Sequence, residues 1–377
     1  MSDRGDSRTG VGMRIGSVSL TSPFVIAPMA GMTDTGFRRL VKRHGGCGLV
    51  VSEMVSSEGL VRGIDRTLEY AEFTEEERPV SIQIFGGDPD TMAAAAQIVE
   101  GMGADIVDVN MGCPVPKIAK HNAGCSLMRE PAHAASVIKA MTRAIGIPVT
   151  VKMRAGWNDA SRNAPDLARR VEDAGAAAIA VHGRTAEQSY KGQADWDLVA
   201  EVAECLSIPV FGSGDCVEPD QIVQRMNSGV SGVLVGRGVL RNPWILAQAD
   251  DLSRGRPMRV PTMADRGQFL RDYVALLLAD HGGEDAGFRH VVPGAAVEPA
   301  RGRERWVINK LRALCAWYSK GLDGGSQLRV RVNAAESVGQ LVDVIDEFFG
   351  TAPSGAGVSP AARPGDAYQA ALMEALR

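Results

Sequence analysis

A (β/α)₈ TIM barrel followed by a small C-terminal helical bundle domain is the fold class that this 377-residue sequence predicts. Three observations carry it. Between residues 23 and 238 one pattern recurs eight times: a short β-rich run, a loop, then a segment of helical period. The connections between runs are long enough for crossover helices, which parallel strands require. No GxGxxG follows the first run, so the usual sign of a doubly wound dinucleotide fold is missing. Eight βα units then favour a closed barrel.

In chain order, residues 1–14 are expected to be a flexible N-terminus and 15–253 the barrel. Strands are expected over 23–30, 48–54, 79–85, 104–111, 148–154, 178–184, 208–213 and 232–237. Helices are expected over 33–44, 89–102, 131–144, 165–174, 196–206 and 219–227. A linker rich in Pro and Arg, 254–262, opens a helical domain over 254–350, with helices at 263–281, 303–320 and 334–349. The Gly/Pro/Ala-rich stretch 282–302 reads as a mobile loop, and 351–377 as a flexible tail.

A 45% hydrophobic content supports a large core. No apolar run approaches the roughly 20 residues that span a bilayer, and the polar start lacks a signal core. A cytoplasmic monomer without membrane attachment is expected. Six cysteines lie scattered without CxxC pairs, which argues against a disulfide framework and a structural zinc site, and no metal is expected. The formal net charge is -4, yet residues 301–331 hold eight basic side chains against two acidic ones. That is a basic patch on an acidic protein.

In a filled barrel the residues facing the outer helices are apolar, and polar side chains near the C-terminal strand ends point at the active site. Val80, Ile82 and Ile84 oppose Ser81 and Gln83; Val107, Val109 and Met111 oppose Asp108 and Asn110. Val149, Val151 and Met153 oppose Thr150, Lys152 and Arg154; Ile179 and Val181 oppose His182 and Arg184. The inward parity therefore gathers Gln83, Asp108, Asn110, Lys152 and His182 around one pocket. Each alone reads as a satisfied polar residue; five converging do not. Cys113, between Gly112 and Pro114, would alone read as a small buried hydrophobe, and this context reverses that. At the last two strand ends, Gly212-Ser213-Gly214-Asp215 and Gly236-Arg237-Gly238 offer backbone N–H groups and a guanidinium where such barrels bind phosphate. A phosphate site beside a polar pocket suits FMN, with Gln83 and Lys152 addressing the ring.

Ala27-Pro28-Met29-Ala30-Gly31-Met32-Thr33-Asp34, residues 108–114, Val151-Lys152-Met153-Arg154, Val181-His182-Gly183-Arg184-Thr185 and Val235-Gly236-Arg237-Gly238 carry a resemblance. Together they resemble the tRNA-dihydrouridine synthases, most closely the bacterial DusB-like branch, over roughly residues 15–342. The resemblance implies reduction of the C5=C6 bond of uridine in the tRNA D-loop, with bound FMN and with NADPH as transient reductant. Hydride would pass from flavin N5 to C6, and a proton from Cys113 to C5. By the same resemblance Pro28, Met29 and Ala30 line the flavin, Gln83 and Lys152 contact its ring, and His182 lies close by. Ser213, Gly214, Asp215, Gly236 and Arg237 would hold its phosphate end.

A thiol suits the acid role, because a free cysteine titrates near about 8.5 and still carries its proton at neutral pH. Asn110, Lys152 and Arg154 are expected to hold the uracil or its developing enolate. Arg305, Lys310 and Arg312 are expected to meet tRNA phosphates from a helix whose other face carries Val307, Leu311, Leu314 and Tyr318. The loop after Cys113, with Lys117, Lys120 and His121, reads as a lid hinged at Gly112 and Gly124. Two departures are visible: Ser213 stands where the family commonly has Asn, and Ala313-Leu314 where a Lys-His pair is common. Two other readings compete: an FMN-dependent barrel reductase of a free pyrimidine or other small molecule, and a non-catalytic tRNA-binding protein.

Overall fold

The computed structural model describes residues 13–119, 122–279 and 300–350. Residues 1–12 of the expected flexible start, Lys120 and His121 of the expected lid, 282–299 of the expected loop and the tail 351–377 lie outside the described residues. The described chain forms two compact units, one running to Arg259 and the other taking up the chain at Val260.

The first unit opens with an antiparallel hairpin of β1 (Met13–Ile15) and β2 (Val18–Leu20). The barrel strands follow: β3 (Phe24–Ile26), β4 (Val50–Val51), with β5 (Val55–Ser56) as its short continuation, β6 (Val80–Phe85), β7 (Ile106–Met111), β8 (Val149–Arg154), β9 (Ala178–His182), β10 (Val210–Ser213) and β11 (Gly232–Val235). All pair in parallel, in the order β3, β11, β10, β9, β8, β7, β6, β4. Gly48 N–H donates to Phe24 O at 2.8 Å and Ile26 N–H to Leu49 O at 3.2 Å, so the sheet returns to its first strand. The result is the expected TIM barrel.

Alternation decides the two faces. Val80, Ile82, Ile84, Val107, Val109, Met111, Val151 and Met153 are all 0% exposed beneath the outer helices. The opposite parity fills the interior with Val25, Leu49, Val51, Ile106, Ala178, Ala180, Phe211 and Leu234. Ile15 and Leu20 join that cluster. The hairpin therefore stops the N-terminal end of the barrel, and Met13 and Arg14, expected in a flexible start, lie in a strand because Ile15 has a core to bury in. Outer helices lie close to expectation: Thr35–His44, capped by Asp34, Pro89–Gly101, Pro131–Ala144, Ala164–Asp173, Trp196–Glu204 and Pro219–Arg225.

The second unit has four described helices where three were expected: Met263–Leu278, Ala300–Tyr318, Gly325–Ala334 and Val338–Phe349. Helix already begins at Ala300, which corrects the loop boundary at 302. The last helix begins at Val338 behind its cap Ser337, not at 334. Gly325–Ala334 leaves no visible period in the sequence, because it buries only Leu328 and Val332 beyond its first glycine. Val307, Leu311, Leu314 and Tyr318 are at most 1% exposed, as the helical spacing required. Tyr318 hydroxyl donates to Arg266 O at 2.9 Å.

Candidate active site

At the C-terminal ends of the strands, a chain of hydrogen bonds fixes the polar layer. Asp108, 6% exposed, accepts from Thr150 Oγ1 at 2.6 Å and from Gln83 Nε2 at 2.7 Å. Because a carboxylate only accepts, it sets the orientation of the Gln83 amide. Gln83 Oε1 then accepts from Asn110 Nδ2 at 2.8 Å, which turns Asn110 Oδ1 toward the loop. There it accepts from the N–H groups of Gly112 at 3.1 Å and Cys113 at 2.9 Å. Asp108 is thus the anchor of a relay that ends at the backbone of Cys113. Burial raises the Asp108 carboxyl above its usual range, against its donors Gln83 and Thr150 and the charge of Lys152.

Cys113 itself is partly exposed at the strand end. From below it is fixed by Cys125 N–H, which donates to Cys113 O at 3.1 Å. Gly124 has φ +61°, and a Cβ there would stand 2.9 Å from Cys113 O and 3.4 Å from Cys113 Cβ. That glycine lets two stretches of backbone touch beneath the thiol. Arg154, 6% exposed, donates to the carbonyls of Gly112 at 2.7 Å and of Thr185 and Ser189 at 3.0 Å. In this arrangement its guanidinium braces the surrounding loops.

Lys152 behaves differently. Among the described residues its ammonium has no hydrogen-bond partner. Burial, reinforced by Arg154, pushes it down to about 8, against the pull of Asp108 and Cys113. His182 is pushed down to about 2 by burial and by the charges of Lys152, Arg154, Arg184 and Arg237, so its imidazole is neutral at physiological pH. The mouth holds more positive charge than Asp108 and Asp215 balance, which favours an anionic or electron-rich guest.

The ends of β10 and β11 offer groups suited to an anion. Gly214, at φ +129°, lies where a Cβ would stand 2.5 Å from Ala194 Cβ, so only glycine fits. Among the described residues, the N–H groups of Gly214, Asp215, Gly236 and Arg237 have no carbonyl partner. Asp215 accepts twice from Arg184 Nη2 at 2.7 Å, from Ala194 N–H at 2.7 Å and from Arg237 Nη2 at 3.4 Å. Burial works to raise this carboxyl, but Ala194 N–H and the two arginines hold it below its usual range. The Asp215 carboxylate therefore aims guanidinium groups, while its own backbone N–H stays open at the strand end. A Cβ on Gly236 would stand 3.5 Å from Met29 Sδ, so the Pro28-Met29-Ala30 loop borders these open N–H groups. Free N–H groups, Arg237, a cationic mouth and a partnerless lysine together fit FMN.

Residues 25–298 match the family model described as Dihydrouridine synthase (Dus). The chain belongs to the dihydrouridine synthase family. It is 37% identical over 340 residues to the "Probable tRNA-dihydrouridine synthase" of Rickettsia conorii, covering 89% of this chain and 96% of that protein. With the "Probable tRNA-dihydrouridine synthase" of Mycobacterium tuberculosis it shares 36% identity over 366 residues, 94% of this chain and 89% of that one. With the "tRNA-dihydrouridine synthase B" of Pseudomonas putida it shares 34% over 339 residues, 89% and 94%.

In this family member, two residues absent from the expected site stand out at the mouth. Arg184, 2% exposed, ties Asp215 to the carbonyls of Lys191 and Gly192; its inward parity was the signal. Tyr190, 62% exposed, has the guanidinium groups of Arg237 at 5.0 Å and Arg154 at 6.0 Å from its ring centre. Nothing in local sequence marks it.

In the helical unit the basic residues divide. Arg305 is exposed. Lys310 lies 5.5 Å from the Trp306 ring centre, with Arg303 at 4.5 Å. Arg312 is turned inward, donating to Ala335 O at 3.0 Å and to Asn309 Oδ1 at 3.3 Å, so it ties two helices together. No helix among the described residues is long and apolar enough to cross a membrane, and no cluster of three His, Cys, Asp or Glu there could hold a metal.

The lysine leads to a prediction. In the FMN-free protein the unfolded chain holds the Lys152 proton more tightly than the folded chain does. Stability should therefore rise as pH climbs from about 8 toward the ordinary lysine range, with the full penalty present below 8. Lys152→Met should stabilise the FMN-free protein at pH 7 by on the order of 2 kcal/mol, and the gain should shrink above pH 8. Urea unfolding at pH 7 and 10 checks this. A destabilised Lys152→Met would contradict it.

Proposed function

We propose that the chain is a tRNA-dihydrouridine synthase that reduces the C5=C6 bond of a D-loop uridine, with FMN at the barrel mouth and NADPH as transient reductant. The observation that carries the reading is a thiol, Cys113, whose backbone is fixed by Asn110 beside a partnerless Lys152, in a chain of this family. When bound, FMN supplies the hydride that adds to uracil C6. The protein's own residues supply the rest. Cys113 gives C5 its proton, Asn110 keeps the thiol's backbone in register, and the Lys152 cation stabilises negative charge developing toward O4. A cytoplasmic monomer is the state that goes with this reading.

The target base must leave its stack, at a cost of a few kcal/mol, and contacts elsewhere on the tRNA offset that. Arg305 and Lys310 would supply phosphate contacts. Arg305→Ala should weaken tRNA binding at every sequence and reduce the slope of log K against log salt by about 1. Arg312→Ala should instead lower the thermal stability of the protein, because it removes the bond to Ala335 O. Filter binding from 50 to 200 mM salt separates the two.

The deciding experiment maps dihydrouridine in tRNA from cells with and without the protein. Loss of a D-loop dihydrouridine is expected. Unchanged tRNA, with rapid reduction of a free pyrimidine by the purified protein, would overturn the reading.

A further inference from the structure

The relay beneath Cys113 has a direction, and that direction is the same from either end. At the loop end the N–H groups of Gly112 and Cys113 can only donate, so the Asn110 atom 3.1 and 2.9 Å from them must be its oxygen. Asn110 Nδ2 then faces Gln83, and the Gln83 atom 2.8 Å away must be the acceptor Oε1. Gln83 Nε2 is left facing Asp108 at 2.7 Å, where only an acceptor suits position 108. At the other end the Asp108 carboxylate, which also accepts from Thr150 Oγ1 at 2.6 Å, demands the same orientation of Gln83. The two ends agree.

Three neighbouring strands supply the members. Gln83 lies opposite Asp108 across β6 and β7, and Asp108 opposite Thr150 across β7 and β8. The Gln83 backbone is fixed further by its N–H on Ser52 Oγ at 3.0 Å. Gln83, Asp108 and Asn110 are all buried. Bulk water therefore cannot replace a lost partner, and a reversed amide would set oxygen against oxygen in the interior. A primary amide presents a donor on one side and an acceptor on the other. Gln83 thus passes the demand made at position 108 on to position 110.

We propose that Asp108 and Gln83 are positioning residues for the acid, and that they act on Cys113 through hydrogen-bond polarity: position 108 must supply an acceptor toward Gln83, not a charge. This rests on the reading of Cys113 as the proton donor to uracil. It adds that the register of the thiol is set from inside the barrel, by a sequence of donors and acceptors that works only as a unit.

Such a unit can be inverted whole but not in part. With Asn110→Asp alone, Gln83 Oε1 faces a carboxylate whichever way the amide turns. With Asp108→Asn alone, the new amide oxygen still accepts from Gln83, and its NH₂ donates to the Thr150 hydroxyl, which accepts as well as donates. With both substitutions Gln83 turns over. The amide at 108 then donates to Gln83 Oε1 and accepts from Thr150, and Gln83 Nε2 donates to the carboxylate at 110. That carboxylate keeps the N–H groups of Gly112 and Cys113, so every bond is remade in reverse.

The test uses the full-length protein saturated with FMN, with two readouts. The first is single-turnover reduction of tRNA by the pre-reduced enzyme. Asp108→Asn should stay within about tenfold of the wild-type rate and Asn110→Asp should fall about a hundredfold, the cost of one buried group set against its like. Adding Asp108→Asn to Asn110→Asp should recover at least about tenfold, whereas independent structural roles would make the double variant slower than either single one. The second readout, hydrogen exchange at the Gly112 and Cys113 amides followed by mass spectrometry, needs no tRNA. Exchange should quicken in Asn110→Asp and return toward the wild type in the double variant. Asp108→Leu gives a second comparison, since leucine suits the apolar lining of Val51, Ala180 and Leu234 around it but offers no acceptor. It should slow the reaction and quicken exchange where Asp108→Asn does not. A double variant no faster than Asn110→Asp, or Asp108→Leu equal to Asp108→Asn in both readouts, overturns the proposal. A wild type that forms no dihydrouridine in tRNA overturns the reading of Cys113 instead, and amide exchange still decides whether the relay holds the loop.

Discussion

Cys113→Ala is expected to form dihydrouridine about 10²–10⁴ times more slowly than the wild type, the range that a positioned general acid contributes. FMN content and tRNA affinity should stay unchanged. The reason lies in how the residue is held. Its backbone carries the structural contacts, from Asn110 Oδ1 and Cys125 N–H, and both survive truncation of the side chain. Cys113 is not fully buried, so truncating its side chain costs less packing than a core substitution would. Cys113→Ser, similar in size but a far weaker acid, should not restore turnover. Asn110→Ala should also slow the reaction while leaving the thiol in place, because the loop loses its tether and Gln83 loses its partner. Single-turnover reduction of tRNA by pre-reduced enzyme isolates the step. Wild-type rates in Cys113→Ala would remove the residue from the acid role.

How far such a site can be read beforehand depends on what sets each position. Strand alternation is local and strict, so the inward placing of Gln83, Asp108, Asn110, Lys152 and His182 was legible: a slip of one residue would have buried polar groups against the outer helices. Glycine-marked strand ends were legible too, since Gly214 must adopt positive φ. What the sequence withheld depends on distant partners. Asp108 faces inward by parity, but its work as an anchor needs Gln83 and Thr150 from the two neighbouring strands. Asp215 is marked by its place at a glycine-rich strand end, but the pairing of both its oxygens needs Arg184, from another strand end. Arg312 looked like part of an outer stripe, and only the unforeseen helix Gly325–Ala334 shows why it turns inward. The hairpin that stops the barrel was hidden for a similar reason, because Ile15 and Leu20 gain meaning only when Ile106 and Phe211 stand beside them.

The largest stability effect is expected at a pair remote from the thiol. Arg38 and Glu77 are 1% and 0% exposed and bonded at 2.6 Å, and nearly every polar atom around them is engaged. Arg38 also donates to Thr33 O at 2.7 Å and Glu72 O at 2.8 Å, while Glu77 Oε2 accepts from Thr35 Oγ1 at 2.6 Å and Thr74 N–H at 2.7 Å. Glu77→Ala leaves a buried guanidinium without its counter-charge and should destabilise the protein by about 3–5 kcal/mol. For a barrel of this size that lowers Tm by roughly 10 °C or more. Arg38→Met with Glu77→Leu removes both charges and should cost much less than Glu77→Ala alone, so the cycle should show strong coupling. The pair also reaches the site. Thr33, whose carbonyl Arg38 holds, closes the Met29 loop through Met29 N–H on Thr33 Oγ1 at 3.1 Å and Thr33 N–H on Met29 O at 3.1 Å. Glu77→Ala should therefore release FMN at temperatures well below global unfolding, seen as free flavin fluorescence ahead of the circular-dichroism transition. Coincident transitions would confine the pair's role to the fold.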